Sequence, residues 1–347
     1  MKIGTREIGP GRPPYVIAEI GVNHDGEVAR ALELTRAAAG AGADAVKLQY
    51  FETDRLLSKA AKLAAYQKAS GETDPVAMLR RLELSLDEMA RVVDLAHELG
   101  IHAIVTVFSV ELVKPASGLA WDAYKSASPD VINRPLLDAL AATGKPLIVS
   151  TGASTLDEVV RAANWLDGIR DRLAVLQCVS CYPAPTSGIE MMGSIRAATG
   201  RPVGYSDHTA SVESGREAAL AGAEILEKHL TYSREASGPD HRASLDAEQF
   251  VEYVGALPDR APGGAVRVSV EPRKRVLACE RDVREVARQS LTSTRDLAPG
   301  ETITRDVLTI KRPGTGVEPF RLDEVIGKRL ARSVEADTPL TEDDLAD

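Results

Sequence analysis

Through roughly the first 250 residues, short β-branched apolar runs alternate with longer Ala/Leu-rich stretches of helical period. This pattern belongs to a parallel sheet with crossover helices. The spacing predicts eight strands, at Tyr15–Ile20, Ala43–Gln49, Ile101–Phe108, Trp121–Ser126, Lys145–Ser150, Leu173–Val179, Arg201–Ser206 and Ala223–His229. Helical stretches lie between them. Val28–Gly42 has apolar residues at 28, 31, 32, 34 and 38 and stops at glycines, and Leu86–Gly100 repeats the design. Thr155–Leu166 and Ser211–Gly222 follow capping residues. Eight alternations favour a closed (β/α)8 TIM barrel of the α/β class over an open doubly wound sheet.

One connection is too long for the pattern. Phe51–Glu83 is an insertion after the second strand, on the face where such barrels carry function. After Leu257 the pattern breaks. Pro258–Gly264 reads as a turn, and Arg267–Arg288 as a charged, partly helical segment. From Gln289 a compact module begins, with strand-like stretches at Ser290–Thr294 and Val307–Lys311. The expected division is a barrel over 1–270, a linker over 271–287 and a small domain over 288–347. A module that small has a marginal core, so it is expected to dock on something.

Composition narrows the function classes. The chain has 347 residues, 44% of them apolar and only 4% aromatic, so the core rests on Ala, Leu, Val and Ile. A net charge of −9 argues against a nucleic-acid or membrane partner, since both need a broad basic face. Three cysteines make no disulfide framework, and neither an export signal nor an apolar span of membrane length is visible. A cytoplasmic location is expected.

Candidate chemistry sits at the strand ends, where barrel enzymes carry it. Polar residues close every predicted strand: Glu19; Lys47 and Gln49; Thr106; Lys125 and Ser128; Ser150; Ser180 and Tyr182; Ser206 and His208; Glu227, Lys228 and His229. Lys47 and Lys125 lie within apolar runs. A buried lysine is costly unless an anion meets it, so the pair describes a site for a small phosphate-and-carboxylate ligand, the alternative being structural ion pairs. His208 and His229 end neighbouring strands, an arrangement open to metal binding or to ordinary core roles. His97 and His102 read as structural, while His24 and His241 stay open. Cys178-Val179-Ser180-Cys181 leaves a strand and has no further ligands nearby, so neither redox nor zinc use is expected. The basic run Pro272–Arg288 is balanced by Glu271, Glu280, Asp282 and Glu285 and reads as a solvated linker helix.

The segments IAEIGVNHDG (17–26), AGADAVKLQYF (41–51), YKSASPDVINRPLL (124–137), KPLIVSTGAS (145–154), LQCVSCYPAP (176–185), GYSDHT (204–209), EKHLT (227–231) and GPDHRASLD (238–246) resemble the sialic acid synthase family. The tail, with KRPGTG (311–316), is similar to that family's antifreeze-like (SAF) domain. The resemblance implies condensation of phosphoenolpyruvate with N-acetylmannosamine or a related N-acyl hexose, with a divalent metal, typically manganese. It implies His208 and His229 as metal ligands and Lys47, Thr106, Lys125, Ser128, Ser150 and Ser206 on phosphoenolpyruvate. Gln49, Tyr182 and Asp240 would contact the sugar, with Ser180 at a position where the family carries Asn. Glu19 and Asp130 are the carboxylates implied to take a proton from water. Arg312 would come from the small domain of a partner subunit in a domain-swapped homodimer.

Ser180, Pro129-Asp130 and Val107 depart from the family pattern and leave the sugar open. The insertion around Ala65-Tyr66-Gln67-Lys68 looks like the branch that includes legionaminic acid synthases. A diacetamido hexose of the legionaminic or pseudaminic type, or a sugar phosphate met by Lys59, Lys62 or Lys68, is the alternative acceptor. A non-catalytic carbohydrate-binding barrel and a Schiff-base aldolase are the competing classes.

Overall fold

The computed structural model describes residues 1–259 and 271–346, and its first domain is a closed barrel of eight parallel strands. In chain order they are β1 (Tyr15–Glu19), β2 (Ala45–Tyr50), β3 (His102–Val107), β4 (Ala123–Ser126), β5 (Leu147–Ser150), β6 (Leu173–Cys178), β7 (Val203–Asp207) and β8 (Ile225–His229). Each strand pairs with its predecessor, and β8 closes on β1 with His229 opposite Glu19. All eight predicted strands are present, several starting two residues later than the pattern indicated. At β4 the reason is visible: Trp121 is buried and its Nε1 donates to the Ala116 carbonyl, so it packs as a turn rather than pairing.

Period-two alternation fills the barrel in layers. Ile17, Ala45, Ile104, Ala123, Ile148, Ala174 and Ile225 form a dry interior layer, closed from below by Ile3 and Ile8 beside a short N-terminal hairpin. Two residues further along six of these strands stand Glu19, Lys47, Thr106, Lys125, Ser150 and Glu227, while β6 keeps apolar Leu176. The apolar layer therefore acts as the floor of a polar site. Gly204 belongs to this interior because a Cβ there would lie 2.4 Å from the Ile225 carbonyl oxygen.

Helices wrap the outside. Leu86–Glu98 is capped by Ser85, whose hydroxyl accepts the Glu88 N–H while Glu88 returns to the Ser85 N–H. Leu156–Trp165 has the same box from Thr155 and Glu158. The helix expected from Ser211 starts only at Ser214, because the Ser214 hydroxyl is engaged by Asp207 at 2.5 Å and the Ser211 hydroxyl by the Glu213 N–H. The insertion folds into three short helices, Thr53–Leu56, Ala65–Ala69 and Pro75–Arg80, over its own apolar cluster of Phe51, Leu56, Leu57, Leu63, Met78, Leu82 and Phe108.

The small domain pairs Ser290–Ser293 with Leu308–Lys311 around a separate core that includes Leu291, Ile303, Val325 and Leu340. It docks on the insertion: Ser58 N donates to the Arg312 carbonyl at 3.0 Å and Arg312 N to the Leu56 carbonyl at 2.9 Å. The Gln289 amide bridges Asn133 and the Phe108 carbonyl on the barrel. The turn expected at Pro258–Gly264 lies, beyond Asp259, outside the described residues, as does the start of the segment at Arg267. The expected solvated linker is corrected. Lys274, Glu280 and Arg288 are buried, and both Arg284 and Arg288 grip the Glu158 carboxylate at 2.7–2.9 Å.

Candidate active site

The polar layer opens into one cavity at the C-terminal mouth of the barrel, with about 860 Å³ of empty space counted out to its entrance. Fourteen of the fifteen residues singled out in the sequence line it: Glu19, Lys47, Gln49, Thr106, Lys125, Ser128, Ser150, Ser180, Tyr182, Ser206, His208, His229, Asp240 and Arg312. The fifteenth, Asp130, does not line it. It sits in the turn Ser128–Ile132, which gives Ser128 and Pro129 to the cavity and turns Asp130 into the protein behind them. Burial pushes its carboxyl up to about 7 against the opposing pull of Arg312.

At the floor, Lys47 contacts Glu19 and donates to Thr106 Oγ1 at 3.0 Å. Glu227 lies between the lysines, 3.7 Å from Lys47 Nζ and 3.4 Å from Lys125 Nζ, and accepts from Ser206 at 2.8 Å. The lysines therefore already have carboxylate partners, so they are paired as well as poised. Burial pulls Lys47 down to about 7, partly offset by Glu227, with Lys125 adding to the fall. Glu227 stays below the usual carboxylate range: burial opposes this, but both lysines and Ser206 outweigh it.

Hydroxyls from three neighbouring strands face these charges. Ser128 Oγ accepts the Gly152 N–H at 2.9 Å, Ser150 Oγ is buried without a partner, and Ser180 stands opposite Gly152. A Cβ at residue 152 would fall 2.1 Å from Ser180 Oγ, so glycine is required for the loops to close this tightly.

The imidazoles of His208 and His229 meet with ring centroids 5.4 Å apart. His208 Nδ1 donates to the Val179 carbonyl at 2.8 Å, which leaves Nε2 as the nitrogen free for a ligand once the ring is neutral; burial lowers its value, but Cys178, the Val179 carbonyl and Glu227 outweigh burial and raise it. Burial and the nearby His208 and Lys47 hold His229 far below its ordinary value, so it remains neutral at pH 7. Its Nδ1 is buried without a hydrogen bond, and Asp240 Oδ2 lies 3.7 Å away. Among the described residues no three His, Cys, Asp or Glu side chains form a metal set. The two imidazoles, once His208 has given up its proton, fit a divalent metal that draws its other ligands from water and substrate.

Above the histidines, Tyr182 packs on His208 at 4.0 Å between centroids, and Tyr66 of the insertion packs on Tyr182 at 4.9 Å. Arg312 enters beside them from the small domain of the same chain, where the resemblance implied a partner subunit. Its guanidinium carbon lies 5.5 Å from the Phe108 ring centroid, and its Nε has no partner. Apart from Gln67, the remaining outer wall is mainly apolar, with Met78, Leu79, Phe108, Val283 and Ala287.

A model of the NeuB family matches residues 34–260, and one of the SAF domain matches 288–346. The chain belongs to the NeuB family. Over 97% of its length it is 35% identical to the N,N'-diacetyllegionaminic acid synthase of Legionella pneumophila, covering 96% of that protein. It is 28% identical to the human N-acetylneuraminate-9-phosphate synthase, covering 97% of this chain and 94% of the other. The crystal structure of the Bacillus subtilis spore coat polysaccharide biosynthesis protein spsE superposes with a TM-score of 0.82 at 27% identity, covering 100% and 99% of the two chains. As a NeuB-family chain, this protein is an enzyme of the transferase class, which removes the non-catalytic barrel from the competing readings.

Several residues at this NeuB-type site were given no role in the sequence reading. Glu227 was legible, because strand alternation puts it on the same face as His229. Lys228 points the other way, into a buried ion pair with Asp207 at 3.0 Å. Tyr66 and Glu280 had no such signal. Within the C-x-x-C, Cys178 turns to His208 at 3.5 Å, whereas Cys181 meets Cys279 of the linker. His241 bridges Thr231 and Asp25, and buried His24 accepts the Gly26 N–H, which gives both loop-bracing roles.

Proposed function

We propose that this NeuB-family enzyme condenses phosphoenolpyruvate with N-acetylmannosamine or a related N-acylated, unphosphorylated hexose, giving a nine-carbon keto-acid and phosphate. The observation that carries the reading is the placing of the lysine and serine floor directly beneath the histidine pair, with an apolar, arginine-tipped chamber above. Lys47, Lys125 and the Ser128, Ser150, Ser180 and Ser206 hydroxyls suit a ligand bearing phosphate and carboxylate. Gln49, Tyr182 and Asp240 line the path to the chamber, where Arg312 would meet an acyl oxygen. His208 and His229 would hold a divalent cation, with manganese the first choice, and when bound it supplies Lewis-acid polarisation of the sugar aldehyde.

In the reaction the phosphoenolpyruvate methylene carbon bonds to the sugar's aldehyde carbon, and water adds to the cationic C2 that results. Glu19 lines the cavity and takes the water proton, which ends on the former aldehyde oxygen. The C2–O bond to phosphate then breaks as the C2 hydroxyl passes its proton to the departing phosphate, leaving a ketone. The lysines balance the charge on the phosphate and carboxylate throughout.

The outer chamber favours acyl-rich sugars without phosphate. None of Lys59, Lys62 and Lys68 lines this cavity: Lys59 pairs with Glu335 at 2.5 Å, and Lys62 reaches only an adjoining recess. A diacetamido hexose of the legionaminic type is the second reading, and the apolar wall around Met78 and Val283 supports it. The enzyme is proposed to work in the cytoplasm as a homodimer. The contacts made here within one chain would form equally between two chains that exchange small domains. Phosphate release, measured with manganese across N-acetylmannosamine, its 6-phosphate and a 2,4-diacetamido hexose, tests the proposal. Release with none of them would end it, and a preference for the 6-phosphate would overturn the acceptor assignment.

A further inference from the structure

We infer that Glu280, in the linker between the two domains, is a positioning residue that sets the geometry of the serine cradle. This rests on the reading of that cradle as the anion site. Glu280 is fully buried and does not line the cavity. Its Oε1 accepts two backbone N–H groups from different loops, Ala153 at 2.7 Å and Ser180 at 2.8 Å. Its Oε2 accepts the Leu277 N–H at 2.8 Å, which ties the linker's own turn to the same point. One carboxylate therefore joins the loop after β5, the loop after β6 and the linker.

Ser180 lies on the second of these loops, Ser150 ends β5 just before the first, and Ser128, on the turn after β4, is tied to the first through Gly152. Ala153 holds φ +52°, a left-handed conformation that a residue with a Cβ adopts only when its surroundings enforce it. The bond to Glu280 supplies part of that enforcement. Next to it, Gly152 N–H fixes Ser128 Oγ, and Ser180 Oγ closes against Gly152. Releasing the two amides frees Ala153 to leave the left-handed region, and Ser128, Ser150 and Ser180 lose their common register. Buried Lys274 reinforces the junction, donating from Nζ to the Cys178 carbonyl at 3.1 Å. The same linker leads to the domain that brings Arg312, so docking of that domain and alignment of the anion cradle share one covalent segment.

The test compares Glu280→Ala with wild type in the full-length protein through two readouts. Without ligand, hydrogen exchange at the Ala153 and Ser180 amides should speed up by at least about tenfold in the variant, because a hydrogen bond to a charged group is lost at each. Phosphoenolpyruvate titrated in the absence of sugar should bind about ten- to hundredfold more weakly. The Glu280→Gln variant keeps a carbonyl oxygen for both amides and should recover most of that affinity. A purely structural role would lower the melting temperature of Glu280→Ala and leave the phosphoenolpyruvate affinity within twofold of wild type, and that result overturns the inference. Unchanged exchange at both amides also overturns it. Should the alanine variant not fold, Glu280→Asp is too short to reach both loops, and its affinity decides by the same criterion. A wild-type protein that binds no phosphoenolpyruvate sinks the functional reading instead, and the exchange readout still judges the positioning.

Discussion

His208 and His229 face each other at the ends of adjacent strands, with ring centroids 5.4 Å apart and Tyr182 packed against both. Both rings are buried, and only His208 has its Nδ1 held by a carbonyl. Replacing either with Ala removes half of the protein's contribution to the proposed metal site. Turnover should fall by about a thousandfold or more if the metal supplies several kcal/mol to the barrier. Manganese affinity, measured calorimetrically, should drop with it while the circular dichroism spectrum stays unchanged. Near-normal manganese binding by either variant would remove the metal role.

Lys47 gives a pH dependence of known sign. Its value in the free enzyme is about 7, so raising the pH through neutrality removes its charge and weakens its hold on an anion. kcat/KM for phosphoenolpyruvate should therefore fall above about pH 7, with kcat less affected because the bound anion restores the proton. Lys47→Arg, which stays charged, should push that fall up by about one pH unit or more at some cost in rate. An alkaline limb that does not move would assign it to another group.

Glu158 anchors the linker through Arg284 and Arg288. Burial works against its ionised form, but the two arginines outweigh it and hold its carboxyl well below the usual range. Because the folded value is depressed, the stabilisation is complete above the ordinary glutamate value of about 4.3 and disappears as pH falls through the folded value. Glu158→Ala should cost about 3 kcal/mol at pH 7 by leaving buried guanidinium charge unpaired. In urea titrations the gap from wild type should narrow below about pH 4. A gap independent of pH would mean lost packing rather than lost charge.

Behind the cavity wall, Lys228 and Asp207 are wholly buried and 3.0 Å apart, one residue from each metal-type histidine. Lys228→Met leaves Asp207 uncompensated and should cost about 3 kcal/mol or more, whereas adding Asp207→Leu should restore much of that loss. Equal stability of the single and double variants would show that the two charges do not compensate each other.

Much of this enzyme can be read along the chain because local physics repeats. β-branched runs and Gly-ended helices gave the eight strands, polar residues at the strand ends gave thirteen cavity-lining side chains, and the resemblance added Asp240 and Arg312. Alternation by two places Glu227 and His229 on one face without any structure. Asp130 stands apart from the cavity lining because a single turn after Ser128 changes which side chain faces the cavity, and sequence spacing does not record that turn. The linker was misread for a related reason: its charges balance on paper, but Glu280 finds its partners 100 and 127 residues away, on backbone amides that carry no sequence signature. The chain alone determined the barrel and its ring of strand-end chemistry, because those follow from periodicity within each segment. Which carboxylate meets which lysine, where Arg312 enters and what holds the serine loops in register were decided only by the closing of the tertiary structure. Those contacts join segments that are far apart in sequence, and no local pattern specifies them.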